Sequence, residues 1–215
     1  MVATEVELEK RAAATAAAGL VEEGMTVGLG TGSTVAYLLP AIAARGLDIR
    51  CVATSHVTEA DARRLGLDVR PFEGIDRLDL AIDGADQVTP DNWLIKGGGG
   101  AHTREKIVAA AAERFVVIVS SDKPVERLSP PVPLELMGFG ADSILRSLPL
   151  ARLRPSTPRT PDGGVIADWF GEFDDPATLS VLLEGTPGVV GHGLFAPELV
   201  NEVFVGRKDG VERRT

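Results

Sequence analysis

Apolar positions along the chain change period several times, and the changes outline alternating elements. From about Val6 to Glu23 an Ala-rich stretch with charges at one end reads as a helix that Gly24 stops. Met25-Thr26-Val27-Gly28-Leu29-Gly30 is a short apolar run that ends in Thr31-Gly32-Ser33-Thr34, after which Val35, Leu38, Leu39 and Ile42 recur at helical spacing. This is strand, phosphate-type turn, helix. Asp48 to Ala53 predicts the next strand, closed by Thr54-Ser55-His56 before a charged helix over Glu59 to Leu65. Asp68-Val69-Arg70-Pro71 is a brief strand that its proline confines to an edge. Asp79 to Ile82 predicts a buried strand opening into Asp83-Gly84-Ala85-Asp86, and Phe115 to Val119 is the most strand-like run of all. Between them a glycine run leads into a helix. Strands alternating with helices predict a parallel sheet covered on both faces, with ligands at the carboxyl ends of the strands.

The texture shifts after Ser120-Ser121-Asp122-Lys123-Pro124, and Pro130, Pro131 and Pro133 mark a boundary. Val132 to Leu136 reads as strand, Ala141 to Leu148 as helix and Ala151 to Arg154 as strand; Gly164 to Phe170, Pro176 to Glu184 and Val189 to Phe195 repeat strand, helix, strand. That order is a ferredoxin-like α+β unit. Asn201 to Gly206 returns to the main sheet. The expected fold is therefore α/β, a Rossmann-like parallel-sheet domain over residues 1–127 and 201–215 with a smaller ferredoxin-like α+β domain over 128–200.

Composition narrows the function classes. The chain has 215 residues, 44% of them hydrophobic, enough for a main domain carrying a smaller one. A net charge of -9 disfavours nucleic acid and anionic membrane surfaces, so any bound phosphate must meet a local basic pocket. A lone cysteine, Cys51, excludes an internal disulfide and suits a reducing compartment. No apolar run reaches the length of a membrane span, and Glu5, Glu7 and Glu9 stand where a signal peptide would be positive; the expectation is a cytoplasmic protein.

Four stretches carry candidate chemistry. Gly28-Leu29-Gly30-Thr31-Gly32-Ser33-Thr34 approaches a dinucleotide fingerprint, but Ser33 stands where the third glycine belongs, and Thr54 and Ser55 stand where the acidic residue belongs. It is not a P-loop either, since no Gly-Lys-Ser/Thr follows. Hydroxyls and N–H groups at a helix start suit one phosphate monoester, and a plain turn capped by Ser33 or Thr34 is the alternative. Asp83 and Asp86 end an apolar strand, where buried carboxylates need solvent, a metal or catalysis as their reason. A metal would draw on Gln87 and Asp91; a turn-forming Asp-Gly pair and acid–base use are the other readings. Lys96-Gly97-Gly98-Gly99-Gly100 lets backbone approach a ligand without Cβ atoms, with a cation at one end and Glu105 beyond the other. Glu105 falls in a helix first turn, where the dipole favours its charged form, and its spacing from Thr103 is not that of a capping box. Lys123 follows a strand end and is either a second cation for the crevice or solvated. His56, His102 and His192 show no ligand spacing and read as turn or surface residues, and Lys10 as a helix-face charge.

Taken together, Thr31-Gly32-Ser33-Thr34, Asp83-Gly84-Ala85-Asp86, Lys96-Gly97-Gly98-Gly99 with Arg104-Glu105-Lys106, and Ser121-Asp122-Lys123, in that order and spacing, resemble the ribose-5-phosphate isomerase A family. The resemblance covers nearly the whole chain, including Pro133-Leu134-Glu135-Leu136 and Pro187-Gly188-Val189 to Leu194-Phe195. It implies a Rossmann-like domain with a ferredoxin-like lid, interconversion of ribose 5-phosphate and ribulose 5-phosphate without metal or organic cofactor, and a homodimer or homotetramer. On that reading Glu105 is the base, Lys96 and the N–H groups after it stabilise an enediolate, and Asp83 first and Asp86 second assist ring opening. Thr31, Gly32, Ser33, Thr34, Gly84, Ala85, Gly97, Gly98, Gly99 and Lys123 lie near the substrate, with the phosphate toward Ser33 and Thr34 and the glycine run beside the reacting carbons. Gln87 replaces the family's usual glutamate, His102-Thr103 a commonly apolar pair, and Pro155 to Gly164 is short and proline-rich. A sugar-phosphate sensor and a coenzyme A transferase or lactonase of similar fold are the competing classes; an acidic chain suits a DNA-bound sensor poorly.

Overall fold

The computed structural model describes residues 4–215. Thr4 opens the first helix, α1 (Glu5–Ala18), by accepting a hydrogen bond from the Glu7 N–H at 3.3 Å, and Glu5 and Glu7 place negative charge in the first turn where the helix dipole favours it. The helix ends earlier than its alanine pattern predicts. It stops at Gly19 so that Val21 can turn inward and be fully buried, and Gly24, at φ +79°, serves the turn into the first strand instead.

The chain then runs through β1 (Thr26–Leu29), α2 (Val35–Ala43), β2 (Arg50–Ala53), α3 (His56–Arg64), β3 (Asp68–Val69) and β4 (Leu80–Asp83). Next come β5 (Gln87–Val88), β6 (Leu94–Ile95), α4 (His102–Ala111) and β7 (Phe115–Ser120). The remainder is β8 (Val132–Leu136), α5 (Ala141–Ser147), β9 (Ala151–Leu153), β10 (Val165–Trp169), α6 (Pro176–Glu184), β11 (Val189–His192), β12 (Leu194–Phe195), β13 (Glu202–Arg207) and β14 (Gly210–Arg214). None of the helices among the described residues is long and apolar enough to cross a membrane.

Two compact units result. The first comprises residues 4–85, Arg104–Pro124 and Glu198–Thr215. Its seven-stranded sheet has the order β14-β13-β7-β4-β1-β2-β3, parallel throughout except for β14 at the edge. The continuous apolar runs of β1, β4 and β7 are buried along their full length, as strands covered on both faces require. α1 supplies Ala13, Ala14, Ala17 and Ala18 to the core formed with Leu29, Leu38, Ile42, Ile82 and Ile118. β2 and β4 flank β1 on opposite sides, so the order reverses at β1, and the crevice outside the carboxyl ends of β1 and β4 is where ligands bind in such sheets.

The second unit comprises Asp86–Thr103 and Val125–Pro197. Its four-stranded antiparallel sheet, β11-β8-β10-β9, with α5 and α6 is the ferredoxin-like arrangement that the sequence pattern predicts. Leu134, Leu136, Ala167, Leu179 and Leu183 fill its core. Asp175 caps α6 by accepting from the Ala177 and Thr178 N–H groups at 3.1 and 3.2 Å, with Pro176 in the first turn.

A small third sheet, β12-β6-β5, is absent from the sequence reading. The predicted single strand from Val189 to Phe195 is divided: β11 pairs with β8, whereas β12 pairs with β6. Gly193 makes the division. Its N–H donates to the Pro133 carbonyl at 2.7 Å, its own carbonyl accepts from the Lys96 N–H at 2.9 Å, and a Cβ there would stand 2.1 Å from the Lys96 oxygen. No larger residue permits that approach.

Candidate active site

In the first unit the carboxyl ends of β1 and β4 meet through one carboxylate. Asp83 is 3% exposed, and its Oδ1 accepts from the Thr31 N–H at 3.0 Å and the Gly84 N–H at 2.7 Å. A Cβ at Gly30 would lie 1.9 Å from the Asp83 carboxyl carbon, so the strand end must be glycine for the acid to occupy this place. Thr31 is tied inward by its side chain as well. Its hydroxyl lies 2.8 Å from the hydroxyls of Thr54 and Ser55 and 3.1 Å from that of Thr58, which in turn donates to the Gly30 carbonyl at 2.9 Å. The polar groups of Thr31 therefore hold the loop in shape. Ser33 is exposed and Thr34 partly so at the start of α2, and Thr34 makes no side-chain cap bond, which removes the capping explanation for it.

Two further groups sit in this unit. Glu105 occupies the first turn of α4 and is 5% exposed. After β7, Ser120 donates from its hydroxyl to Asp122, and Lys123 Nζ pairs with Asp122 Oδ2 at 3.1 Å. Burial works to raise the Asp122 carboxyl, but hydrogen bonds from Ser120 and Lys123 outweigh it and hold it below the ordinary carboxylate range. Lys123 keeps a third of its side chain exposed beside this partner.

In the second unit β6 and β12 position Lys96. The residue is 2% exposed, and its ammonium stands 5.4 Å from the centroid of the Phe195 ring, within cation–π reach. The glycine run follows at once. Asp86 is exposed, accepts from the Gly98 N–H at 2.8 Å, and donates its own N–H to the Ile95 carbonyl at 2.8 Å, which ties it to β6. The predicted site residues thus fall into two sets. Thr31 to Thr34, Asp83, Gly84, Ala85, Glu105 and Lys123 belong to the first unit, while Asp86, Lys96 and Gly97 to Gly99 belong to the second.

Two of the three histidines expected at turns or the surface are buried. His56 is exposed at the start of α3, but His102 and His192 are buried, 0% and 1% exposed. His192 Nδ1 accepts from the Leu194 N–H at 3.2 Å and Nε2 meets Glu184 at 3.1 Å, so it braces the turn between β11 and β12. The hydroxyl cluster around Thr31 was also missed, although Thr54, Ser55 and Thr58 at a strand end and helix start were a signal for it. Among the described residues no group of three or more His, Cys, Asp or Glu is arranged to hold a metal ion.

The family model described as Ribose 5-phosphate isomerase A (phosphoriboisomerase A) matches residues 50–210. Ribose-5-phosphate isomerase A of Methanosarcina acetivorans is 44% identical over 218 residues, spanning 94% of this chain and 92% of its own. The solved ribose 5-phosphate isomerase A of Methanocaldococcus jannaschii superposes with a TM-score of 0.91 at 34% identity, covering 96% of this chain and 98% of that one. A D-ribose-5-phosphate isomerase solved in complex with phospho-erythronic acid gives 0.92 at 35% identity, covering 98% and 99%.

Proposed function

The chain belongs to the ribose 5-phosphate isomerase A family and interconverts D-ribose 5-phosphate and D-ribulose 5-phosphate, and on that premise we propose that Glu105 is the base that carries the proton between C2 and C1. The observation that carries this reading is the burial of two opposite charges on either side of the glycine run, Lys96 at 2% and Glu105 at 5% exposure. Charged groups are costly to bury, and a site that must generate and neutralise negative charge is a reason to do so.

The chemistry follows from the open-chain sugar. Glu105 removes the C2 proton, the C1–C2 double bond forms, and the aldehyde oxygen takes up the electron pair as an enediolate. The proton then returns to C1 while the O2 proton moves to O1, which leaves the carbonyl at C2 and a hydroxyl on C1, the ketose. Lys96 and peptide N–H groups of the glycine run stabilise the oxyanion, the electrostatic contribution that is commonly largest. The furanose must open first. Asp83, a carboxylate already oriented by two N–H donors, is suited to take the anomeric hydroxyl proton, and Asp86 is the second candidate for acid–base help. The phosphate is assigned to Ser33, Thr34 and the N–H groups at the start of α2, where a helix end favours anions, with Gly84, Ala85 and Lys123 also near substrate. Cytoplasmic location and a homodimeric or homotetrameric assembly belong to the same proposal, supported by the acidic, single-cysteine chain and the family relationship.

Glu105→Gln tests the base. It keeps the shape, so phospho-erythronic acid, the ligand of the related solved enzyme, should still bind, while turnover falls by about 10²- to 10⁴-fold. Solvent deuterium should no longer enter at C2 of ribose 5-phosphate. Near-normal exchange in this variant overturns the assignment.

A further inference from the structure

Arg154, just beyond β9, serves two partners with one planar group. Its Nε and Nη2 donate to Asp168 Oδ2 and Oδ1 at 2.9 and 2.5 Å, a two-bond fork onto β10. Its Nη1 donates to the carbonyls of Gly97 and Gly98 at 3.2 and 2.9 Å. The ion pair is largely out of water, with side chains 21% and 13% exposed. On the other side of the glycine run the Gly98 N–H is taken by Asp86, while the Gly97 carbonyl accepts from the Gly100 N–H at 2.9 Å as well as from Arg154.

A trans peptide holds its C=O and N–H in opposite directions. With the Gly97 carbonyl turned to Arg154, the Gly98 N–H must point away, and it does so, to Asp86. With the Gly98 carbonyl turned the same way, the Gly99 N–H is also aimed away from the arginine, and Gly99 is exposed. Consecutive glycines have weak conformational preference of their own, so without an outside restraint these peptide planes can rotate. A lysine could neutralise Asp168 but could not hold two carboxylate oxygens and two carbonyls with one flat fork.

We infer that Arg154, oriented by Asp168, is a positioning residue that fixes the peptide planes of the glycine run and so preorganises the Gly99 N–H to meet the enediolate oxygen beside Lys96. This rests on the role proposed above for the run. Arg154 touches no reacting atom in it; the effect passes through the backbone. Preorganised donors cost no reorientation at the moment charge develops, which is why their loss appears in kcat more than in substrate binding.

Kinetics of the full chain decide the matter. Arg154→Ala is expected to lower kcat by about 10- to 100-fold while KM for ribose 5-phosphate stays within about threefold; the melting midpoint falls because Asp168 loses its partner, but the protein stays folded at the assay temperature. Millimolar guanidinium should restore part of the lost kcat, which a general loss of packing would not allow. A kcat within about twofold of wild type, or a loss accounted for by unfolded protein without rescue, overturns the inference. If the alanine variant does not fold, Arg154→Lys decides: a folded protein with kcat at least about tenfold down supports the clamp, and wild-type kcat overturns it. Collapse of both variants would mark the residue as a structural support and overturn it too. Lys96→Met separates the two proposals. Full activity in that variant removes the role of the run itself, whereas an inactive Lys96→Met beside active Arg154 variants removes only the clamp.

Discussion

Gly30 and Asp83 are matched so closely that neither can be changed alone. In Gly30→Ala the new methyl would overlap the carboxyl carbon, and the carboxylate would have to leave its two N–H donors. A fall in kcat/KM of at least about tenfold is expected, with the loss larger for ribose 5-phosphate than for an open-chain analogue if Asp83 opens the ring; activity within about twofold of wild type would refute the dependence. Which residues were legible follows from their surroundings. Asp83 and Lys96 are charges set among apolar or glycine neighbours, and burial of such charges demands a reason that sequence alone can suggest; Glu105, between Arg104 and Lys106, stood out only by its place after the glycine run. His102 and His192 follow or sit among glycines that read as turns, and Arg154 precedes a proline that reads as surface. Their burial or partnership depends on segments far away in the chain, such as the 56 residues that separate Arg154 from Gly98.

Glu202 shows how a single acid secures elements to one another. It lies on β13, is 5% exposed, and accepts from Arg114 Nε at 2.6 Å before β7 and from Arg213 on β14. Burial alone would raise its carboxyl, but the hydrogen bonds from Arg213 and Arg114 outweigh that and hold it below the ordinary value. A lowered native value means that this stabilisation is present above the unfolded carboxylate range and is lost as pH falls through the native one. Glu202→Gln should therefore cost about 1–2 kcal/mol near pH 7, the arginines being half exposed, and the gap to wild type should narrow below about pH 4. Calorimetric melting at several pH values measures it; a constant gap would exclude the linkage. Most elements of four residues or more were readable from their apolar period, but β14 was not, because Gly210–Arg214 carries a single apolar side chain, Val211. β5 and β6, with two residues each, are too short to show any period, and β11 and β12 looked like one strand because nothing local announces a change of partner at Gly193.

Cys51 reports on the whole molecule. It is fully buried in β2, and burial first, with the charge of Asp68 second, pushes its thiol up to about 12. Thiol labelling at pH 8 should therefore be negligible in the native protein and proceed only at the rate at which the first unit opens; rapid labelling without denaturant would contradict the buried placement. At this scale the amino-acid sequence alone determined the alternation of strands and helices, the ferredoxin-like order of the second half and the return of 201–206 to the main sheet. Those depend on burial period, turn residues and local charge, which neighbouring residues encode. The tertiary structure decided which strands pair, that residues 86–103 group with 125–197, that the polar groups of Thr31 face inward, and that an arginine in a proline-rich stretch grips the glycine run. Each of these is a partnership between distant segments, set by the packing of entire sheets, and the period of one segment carries no record of the surface it will meet.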